Sequence, residues 1–287
     1  MTSRILRTAI DLSPANSSAP DSHTMRPWIL AETNYRQVSD AAYDVAVLPL
    51  GATEPHNLHL PYGTDTLESD HIASRTAEAA WSQGARVVVL PTIPYGTQTN
   101  QHRFPLSMNL YPSTLTQVIS NLVESVHGAG ISKLLLLNSH GGNELKSVLR
   151  ELATGPVHIF QCDWFRSIAE DAKRELFTDP GDHAGEMETA LALAYFPDLV
   201  AHDPETGALD ADEGAVRETQ FEAVNRGWVS ITRPWHLLTT NTGVGDPHPA
   251  TAEAGEAFMA VLVERLSSFL VELAAAPVTE TFPYPSP

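Results

Sequence analysis

Apolar positions along this chain fall in short unbroken runs that take turns with segments of helical period. "DVAVLPL" (44–50), "ARVVVLPTI" (85–93), "SKLLLLN" (132–138) and "PVHIFQCDW" (156–164) are short and rich in apolar residues. Runs of this length and make-up read as strands buried on both faces. Between them, "TDTLESDHIASRTAEAAWSQG" (64–84), "STLTQVISNLVESVHGAG" (113–130) and "NELKSVLRELATG" (143–155) have the period of helices and end at glycine. Further helices are expected over 165–176, within "GEMETALALAYF" (185–196) and over roughly 250–275. Asp65 and Glu68 are spaced as a capping box for the helix at 64–84.

Continuous apolar strands alternating with helices predict an α/β fold, with a mostly parallel sheet covered on both faces. Residues 1–24, rich in Ser, Ala and Pro, read as a flexible tail. Residues 25–287 show no internal repeat and no linker, and read as one domain. The acidic stretch 202–219 reads as a solvated excursion. The proline-rich end "PVTETFPYPSP" is expected to lie loose or to pack as an arm on a neighbouring subunit.

Composition narrows the partners. Of the 287 residues, 35 are Asp or Glu and 17 Lys or Arg, a net charge of −18. Such a surface repels phosphate backbones and anionic lipid, so neither nucleic acid nor a membrane is an expected partner. No run of about 18 apolar residues is present. Cys162 is the only cysteine, which excludes an intrachain disulfide and suits the cytoplasm; it reads as a buried, inert thiol.

In open parallel sheets, ligands bind beyond the carboxyl ends of the strands. The segments that follow the four strands are "GATEPHNLHLPYGTD", "PYGTQTNQHRFPLSMN", "SHGGN" and "CDWF", and "GDHAGEMET" precedes a helix. Glu54, His56, Asp65, His140, His183 and Glu188 thus converge on one rim. Glu54 and His56 alternate along an extended segment, so both can face one ion, or one each of a close pair. Asp65 lies at a helix start, where it can be a ligand or merely an N-cap. Gly141 and Gly142 let a ligand approach the backbone behind His140, or form a plain turn. Mixed His and carboxylate groups suit Zn²⁺, Mn²⁺ or Fe²⁺. Within 97–109, Gln98, Asn100, Gln101, His102 and Arg103 are polar enough to line a substrate pocket, and Trp164, after the fourth strand, joins the candidate lining. His59, His71, His127, His158, His202 and His236 read as structural or surface residues, and so does His102 when taken alone. No G-x-S-x-G elbow, Walker loop or G-x-G-x-x-G occurs.

Taken together, "GATEPHNLHLPYGTD", "NSHGGN", "GDHAGEMET" and "GVGDPHPATAEAGEAF" resemble the creatininase family of metal-dependent amidohydrolases, from about Arg26 to about Leu270. The resemblance implies a three-layer α/β/α fold, two divalent metal ions per chain and a homo-oligomer, commonly a hexamer. It implies that Glu54 and His140 bind one metal, His56 the other, and that Asp65 bridges them. Two departures stand out. The family's tyrosine and glutamate after the third-strand histidine are here Gly141 and Gly142, so a ligand of the second metal must come from elsewhere. Glu188 is the candidate, with Glu186 behind it. A tryptophan shortly before the histidine that matches His183 is here Asp179. Creatinine is therefore not the expected substrate.

The expectation is a hydrolase of a C–N bond, in an amide or cyclic amide, through a metal-bridging water. Glu188 serves as ligand or base, and His183 donates a proton to the leaving nitrogen or holds the oxyanion. Competing readings are a hydrolase of a keto-inositol ring, a peptidase of a small modified peptide, and a metal-stabilised binding protein without turnover.

Overall fold

The computed structural model describes residues 25–285; the tail expected over 1–24 lies outside them. In chain order the elements are α1 (Tyr35–Asp40), β1 (Val45–Leu50), α2 (Thr64–Ser82), β2 (Val87–Val89), α3 (Pro112–Gly128), β3 (Lys133–Asn138), α4 (Lys146–Leu152), β4 (His158–Asp163), α5 (Glu170–Leu176), α6 (Glu186–Tyr195), α7 (Glu222–Asn225), α8 (Trp235–Leu238) and α9 (Ala252–Ala275). The strands form a parallel four-stranded sheet in the order β2-β1-β3-β4.

Strand pleating divides the core in two. Val45, Val47, Val87, Val89, Leu135 and Leu137 pack on one face against Ile72 of α2, Ala172 of α5, Met187 of α6 and Phe258 and Leu262 of α9. Ala46, Leu48, Leu50, Val88, Leu134 and Leu136 face the other way, onto Leu115, Ile119 and Val123 of α3 and Val148 of α4. Because both faces are covered, β1 and β3 are buried along their whole length. That is why their sequence shows apolar runs without alternation. The layering is the expected α/β/α.

Several elements are shorter than their apolar patterns. The second strand keeps only Val87–Val89, since Pro91 has no N–H for the ladder; pairing resumes as an isolated bridge between Leu50 and Ile93. The helix expected over 143–155 begins at Lys146, because Asn143 is used elsewhere: it accepts from Thr97 N at 3.0 Å and donates to Asn138 Oδ1 at 3.0 Å. The capping box at Asp65 and Glu68 does not form. Gly63 is the N-cap and no side chain caps the helix.

Residues 202–219 are largely exposed and contain no helix or strand, although Gly214 bridges to Gly245. The described part of the C-terminal segment is not wholly loose. Phe282 packs on its own chain, with ring centroids 4.6 Å from His158 and 6.2 Å from Phe160. Lys133 anchors the end of α9, its Nζ donating to the carbonyls of Leu273, Ala274 and Ala276 at 2.7, 3.1 and 2.8 Å. Among the described residues no helix is long and apolar enough to cross a membrane.

Candidate metal centre

In the order β2-β1-β3-β4 the connections leave in opposite directions from β1 and β3, which makes the carboxyl ends of these two strands a crevice. The loop after β1 carries Glu54 and His56 into it, the first turn of α2 adds Asp65, the turn after β3 adds His140, and the start of α6 adds Glu188. All five are buried, at 8% exposure or less.

Their contacts are specific. His140 Nδ1 lies 3.0 Å from Glu54 Oε1 and 3.1 Å from Asp65 Oδ2. His56 Nε2 lies 3.1 Å from Asp65 Oδ1. His183 Nδ1 stands 3.8 Å from Glu54 Oε1. The donor atoms fall into close groups: Glu54, Asp65 and His140; His56, Asp65 and Glu188; and Glu54, His56 and His183. Asp65 belongs to the first two, with one oxygen turned to each. Each imidazole is pinned on its far side by a backbone carbonyl: His56 Nδ1 by Glu54 O at 3.1 Å, His140 Nε2 by Thr97 O at 3.1 Å, and His183 Nε2 by Pro55 O at 2.9 Å. A carbonyl only accepts, so the far nitrogen carries the hydrogen and the inward nitrogen keeps its lone pair when the ring is neutral.

The electrostatics match a cation site. Burial alone would lower both histidines. The Asp65 carboxylate, with Glu188 and Glu54, instead lifts His56 to about 9, and Glu54 with Asp65 holds His140 well above the usual imidazole range. Burial would raise Asp65, yet the histidines beside it hold its carboxyl well below the usual range. Burial, with Asp65 adding to it, raises Glu188 against the pull of His56 and His183. Metal-free, this cluster of carboxylates therefore draws protons onto its neighbours. Asp65 Oδ2 is buried with, among the described residues, only His140 Nδ1 facing it, at 3.1 Å. Acceptors left in that state are what divalent cations satisfy, so the donor set fits the expected metals.

Other residues support the centre. Gln101 Nε2 donates to Glu54 Oε2. Glu186, the alternative to Glu188, is turned away: its Oε2 accepts from Thr178 N at 2.8 Å and Asp179 N at 3.0 Å. Glycine is demanded at two positions around His140. A Cβ at Gly96 would lie 2.7 Å from His140 Cδ2, and one at Gly142 would lie 2.2 Å from Thr97 O and 2.5 Å from His140 Nε2. A Cβ at Gly141 would meet nothing.

A cavity of about 500 Å³ opens onto the cluster, lined by Gln101, Gly141, Gly142, Arg166, Lys173 and Trp235 among others. Four expected pocket residues change place, and one of them, Gln98, is fully buried and off the cavity wall. His102 and Arg103 are exposed and off the cavity wall, because the turn at 98–104 points them outward; His102 Nδ1 faces its own Thr99 O at 2.8 Å. Trp164 is fully buried behind the wall, its Nε1 donating to Ser139 Oγ at 2.6 Å. Phe165 and Arg166 take its place in the lining. Cys162 is half-buried rather than buried, and burial with Asp163 nearby pushes its thiol up to about 12, which disfavours the thiolate.

The sequence reading missed two residues of consequence. Glu68, one turn along α2 from Asp65, is 1% exposed, and burial with Glu188 and Asp65 nearby raises it well above the carboxylate range. The three-residue spacing from Asp65 was the available signal. Trp235 sits on α8, with its ring 4.8 Å edge-on from that of His183, which also lies 4.1 Å from the His56 ring. Its segment reaches the rim through Trp235 N, which donates to Asn100 O at 2.9 Å; nothing local in the sequence signals that.

A family model described as creatininase, creatinine amidohydrolase, matches residues 31–270. The chain belongs to the creatininase family. It is a hydrolase of that family, and its fold agrees: a solved structure of a putative creatinine amidohydrolase from Bacteroides fragilis is 35% identical, with a TM-score of 0.80 over 88% of this chain and 99% of that one. A structure described as creatininase with Mn is 22% identical, with a TM-score of 0.65 over 88% of this chain and 100% of its own; at that identity it speaks for the fold alone. Among curated proteins, a mycofactocin precursor peptide peptidase of Mycolicibacterium smegmatis is 27% identical over 86% of this chain and 92% of its own.

Proposed function

We propose that this creatininase-family hydrolase is a metal-dependent amidohydrolase that cleaves the C–N bond of an amide or cyclic amide other than creatinine. The observation that carries the reading is Asp65, whose two oxygens face the histidines of two adjoining donor groups. Glu54, Asp65 and His140 would hold one divalent cation, and His56, Asp65 and Glu188 the other, with Zn, Mn or Fe as the suitable metals. When bound, such a pair supplies Lewis acidity toward a carbonyl and lowers the pKa of water.

The chain's own residues do the rest. Gln101 holds Glu54 by its outer oxygen. His183, at the cavity wall, keeps Nε2–H on Pro55 O, so Nδ1 is the atom that takes up a proton and passes it to the leaving nitrogen. Trp235 and His56 lie against that ring and hold its plane. Creatinine is set aside because Gly142 has no room for a side chain and Gly141 leaves its place open. The cavity volume suits a larger ligand. Trp228, Val229, Ile231 and Leu237, on the segment that carries Trp235, are exposed apolar residues, which supports a homo-oligomer, a hexamer by the family resemblance. On this reading the enzyme works in the cytoplasm on a small molecule, without nucleic acid or membrane partners.

Elemental analysis of purified protein, with turnover of a panel of lactams and N-acyl compounds before and after chelation, tests the reading. About two transition-metal ions per chain and chelator-sensitive amide hydrolysis are expected. Negligible bound metal, with turnover unchanged by chelation, sinks it.

A further inference from the structure

The cavity wall carries two chemically different sets of side chains. One is the carboxylate and imidazole cluster. The other is built by the turn after β4 and by α5, and presents Phe165, Arg166 and Lys173. Two cations on one cavity wall are notable in a chain with 17 basic residues against 35 acidic ones.

Their arrangement leaves donors to spare. Asp163 Oδ1 accepts from Asn138 Nδ2 at 2.8 Å and Gln161 Nε2 at 2.9 Å. So held, its Oδ2 sits 3.2 Å from Arg166 Nε and fixes that edge of the guanidinium. Among the described residues, the terminal nitrogens of Arg166 make no hydrogen bond. The guanidinium lies 5.5 Å from the centre of the Phe165 ring. Lys173 Nζ donates to Phe165 O at 2.9 Å, with Glu170 at 3.6 Å, and so ties α5 to the turn that carries Arg166. An exposed Asp182 lines the same cavity. With Asp163 and Glu170 it offsets much of the positive field, so recognition here works by contact rather than by long-range attraction. A guanidinium anchored at Nε and open at its terminal nitrogens presents the fork that binds a carboxylate.

We propose that this part of the cavity wall is a carboxylate subsite, and that the substrate carries a carboxylate remote from the bond that is cleaved, received by Arg166 with Lys173 beside it. The inference rests on the metal-dependent reading above, because it assumes that the reacting end of the substrate lies at the carboxylate and imidazole cluster. Arg103, expected to line the pocket, lies off the cavity wall, and Arg166 on the wall takes over as the residue that selects the substrate's charge.

Calorimetric titration of the Zn²⁺- or Mn²⁺-loaded full chain separates the two claims. The probes are acetohydroxamate, which has a metal-binding group only, and succinic, glutaric and adipic monohydroxamates, which add a carboxylate at increasing reach. At least one of the acids is expected to bind about tenfold or more tightly than acetohydroxamate. That gain should shrink with added salt. It should vanish in Arg166→Gln, whose side chain is exposed enough to replace without disturbing the fold, while acetohydroxamate affinity stays unchanged. If acetohydroxamate binds and no acid gains over it, the subsite is wrong and the metal centre stands. A gain that survives in Arg166→Gln also refutes the subsite. If acetohydroxamate fails to bind, the metal-centre reading falls and takes the subsite with it.

Discussion

Gly141 and Gly142 are adjacent, follow the same strand and line the same cavity, yet the structure requires opposite responses to the same substitution. In Gly142→Ala the added Cβ would sit 2.2 Å from Thr97 O and 2.5 Å from His140 Nε2. Real contacts to carbon need well over 3 Å, so something has to move by about 1 Å. Thr97 is held in place by Asn143, which accepts from its N–H, so His140 is the part that yields. Its displacement breaks the 3.1 Å bond to Thr97 O that orients the ring and turns Nδ1 away from Glu54 and Asp65. Overpacking of this kind costs about 1–3 kcal/mol, or roughly 2–5 °C in Tm for a chain of this size. Loss of a ligand's outer hydrogen bond costs about 10–100-fold in metal affinity. Gly141→Ala meets nothing and leaves both quantities as they are. Paired thermal melts in chelator, with Zn²⁺ or Mn²⁺ titrations of the apo proteins, measure both effects. Wild-type metal affinity and Tm in Gly142→Ala would refute the argument, as would equal losses in the two variants.

Three further outcomes follow from the same contacts. Asp65→Asn keeps the shape but removes the charge shared by the two donor groups, so metal content by elemental analysis should fall to near zero while the circular dichroism stays native; retention of one full equivalent would mean that the groups bind independently. His59 is 1% exposed and bonded to Thr189 Oγ1 at 2.8 Å, and burial, with His56 nearby, lowers it to about 4. Between about pH 6.5 and 4 the unfolded chain holds a proton that the folded chain lacks, so stability falls as pH drops through that window, by up to about 3 kcal/mol. His59→Gln should flatten that part of the stability–pH curve, and parallel curves for the two proteins would contradict it. Lys133→Met strips the ammonium from three carbonyls at the end of α9 and should cost about 2–4 kcal/mol in urea unfolding, with metal binding unchanged; a change under about 0.5 kcal/mol would show that water replaces the ammonium.

Much of this protein is legible without its fold. Leu134–Leu137 could only be a strand covered on both sides, and four such runs interleaved with helices leave little choice but a parallel sheet. Glu54, His56, Asp65 and His140 each follow a strand or open a helix, so the strand-end rule alone placed them on one rim, and the family resemblance supplied their expected pairing. These are local facts, and periodicity and chain order carry them.

Tertiary structure decided what depends on direction. The spacing of Asp65 and Glu68 fits a capping box equally well, and only the approach of β1 and β3 to the start of α2 turns Asp65 toward two histidines instead. Glu186 and Glu188 are two apart on a helix and face different ways; which of them meets the site depends on how α6 is rotated, and that is set by its packing on α9. His102 and Arg103 lost their place in the pocket to the outward turn at 98–104. Arg166, Lys173 and Trp235 gained theirs from segments distant in sequence. A side chain's type and position in the chain determine what chemistry it can do. Which neighbours it does it with is decided by packing, because contacts across more than 100 residues leave no periodic trace in the sequence.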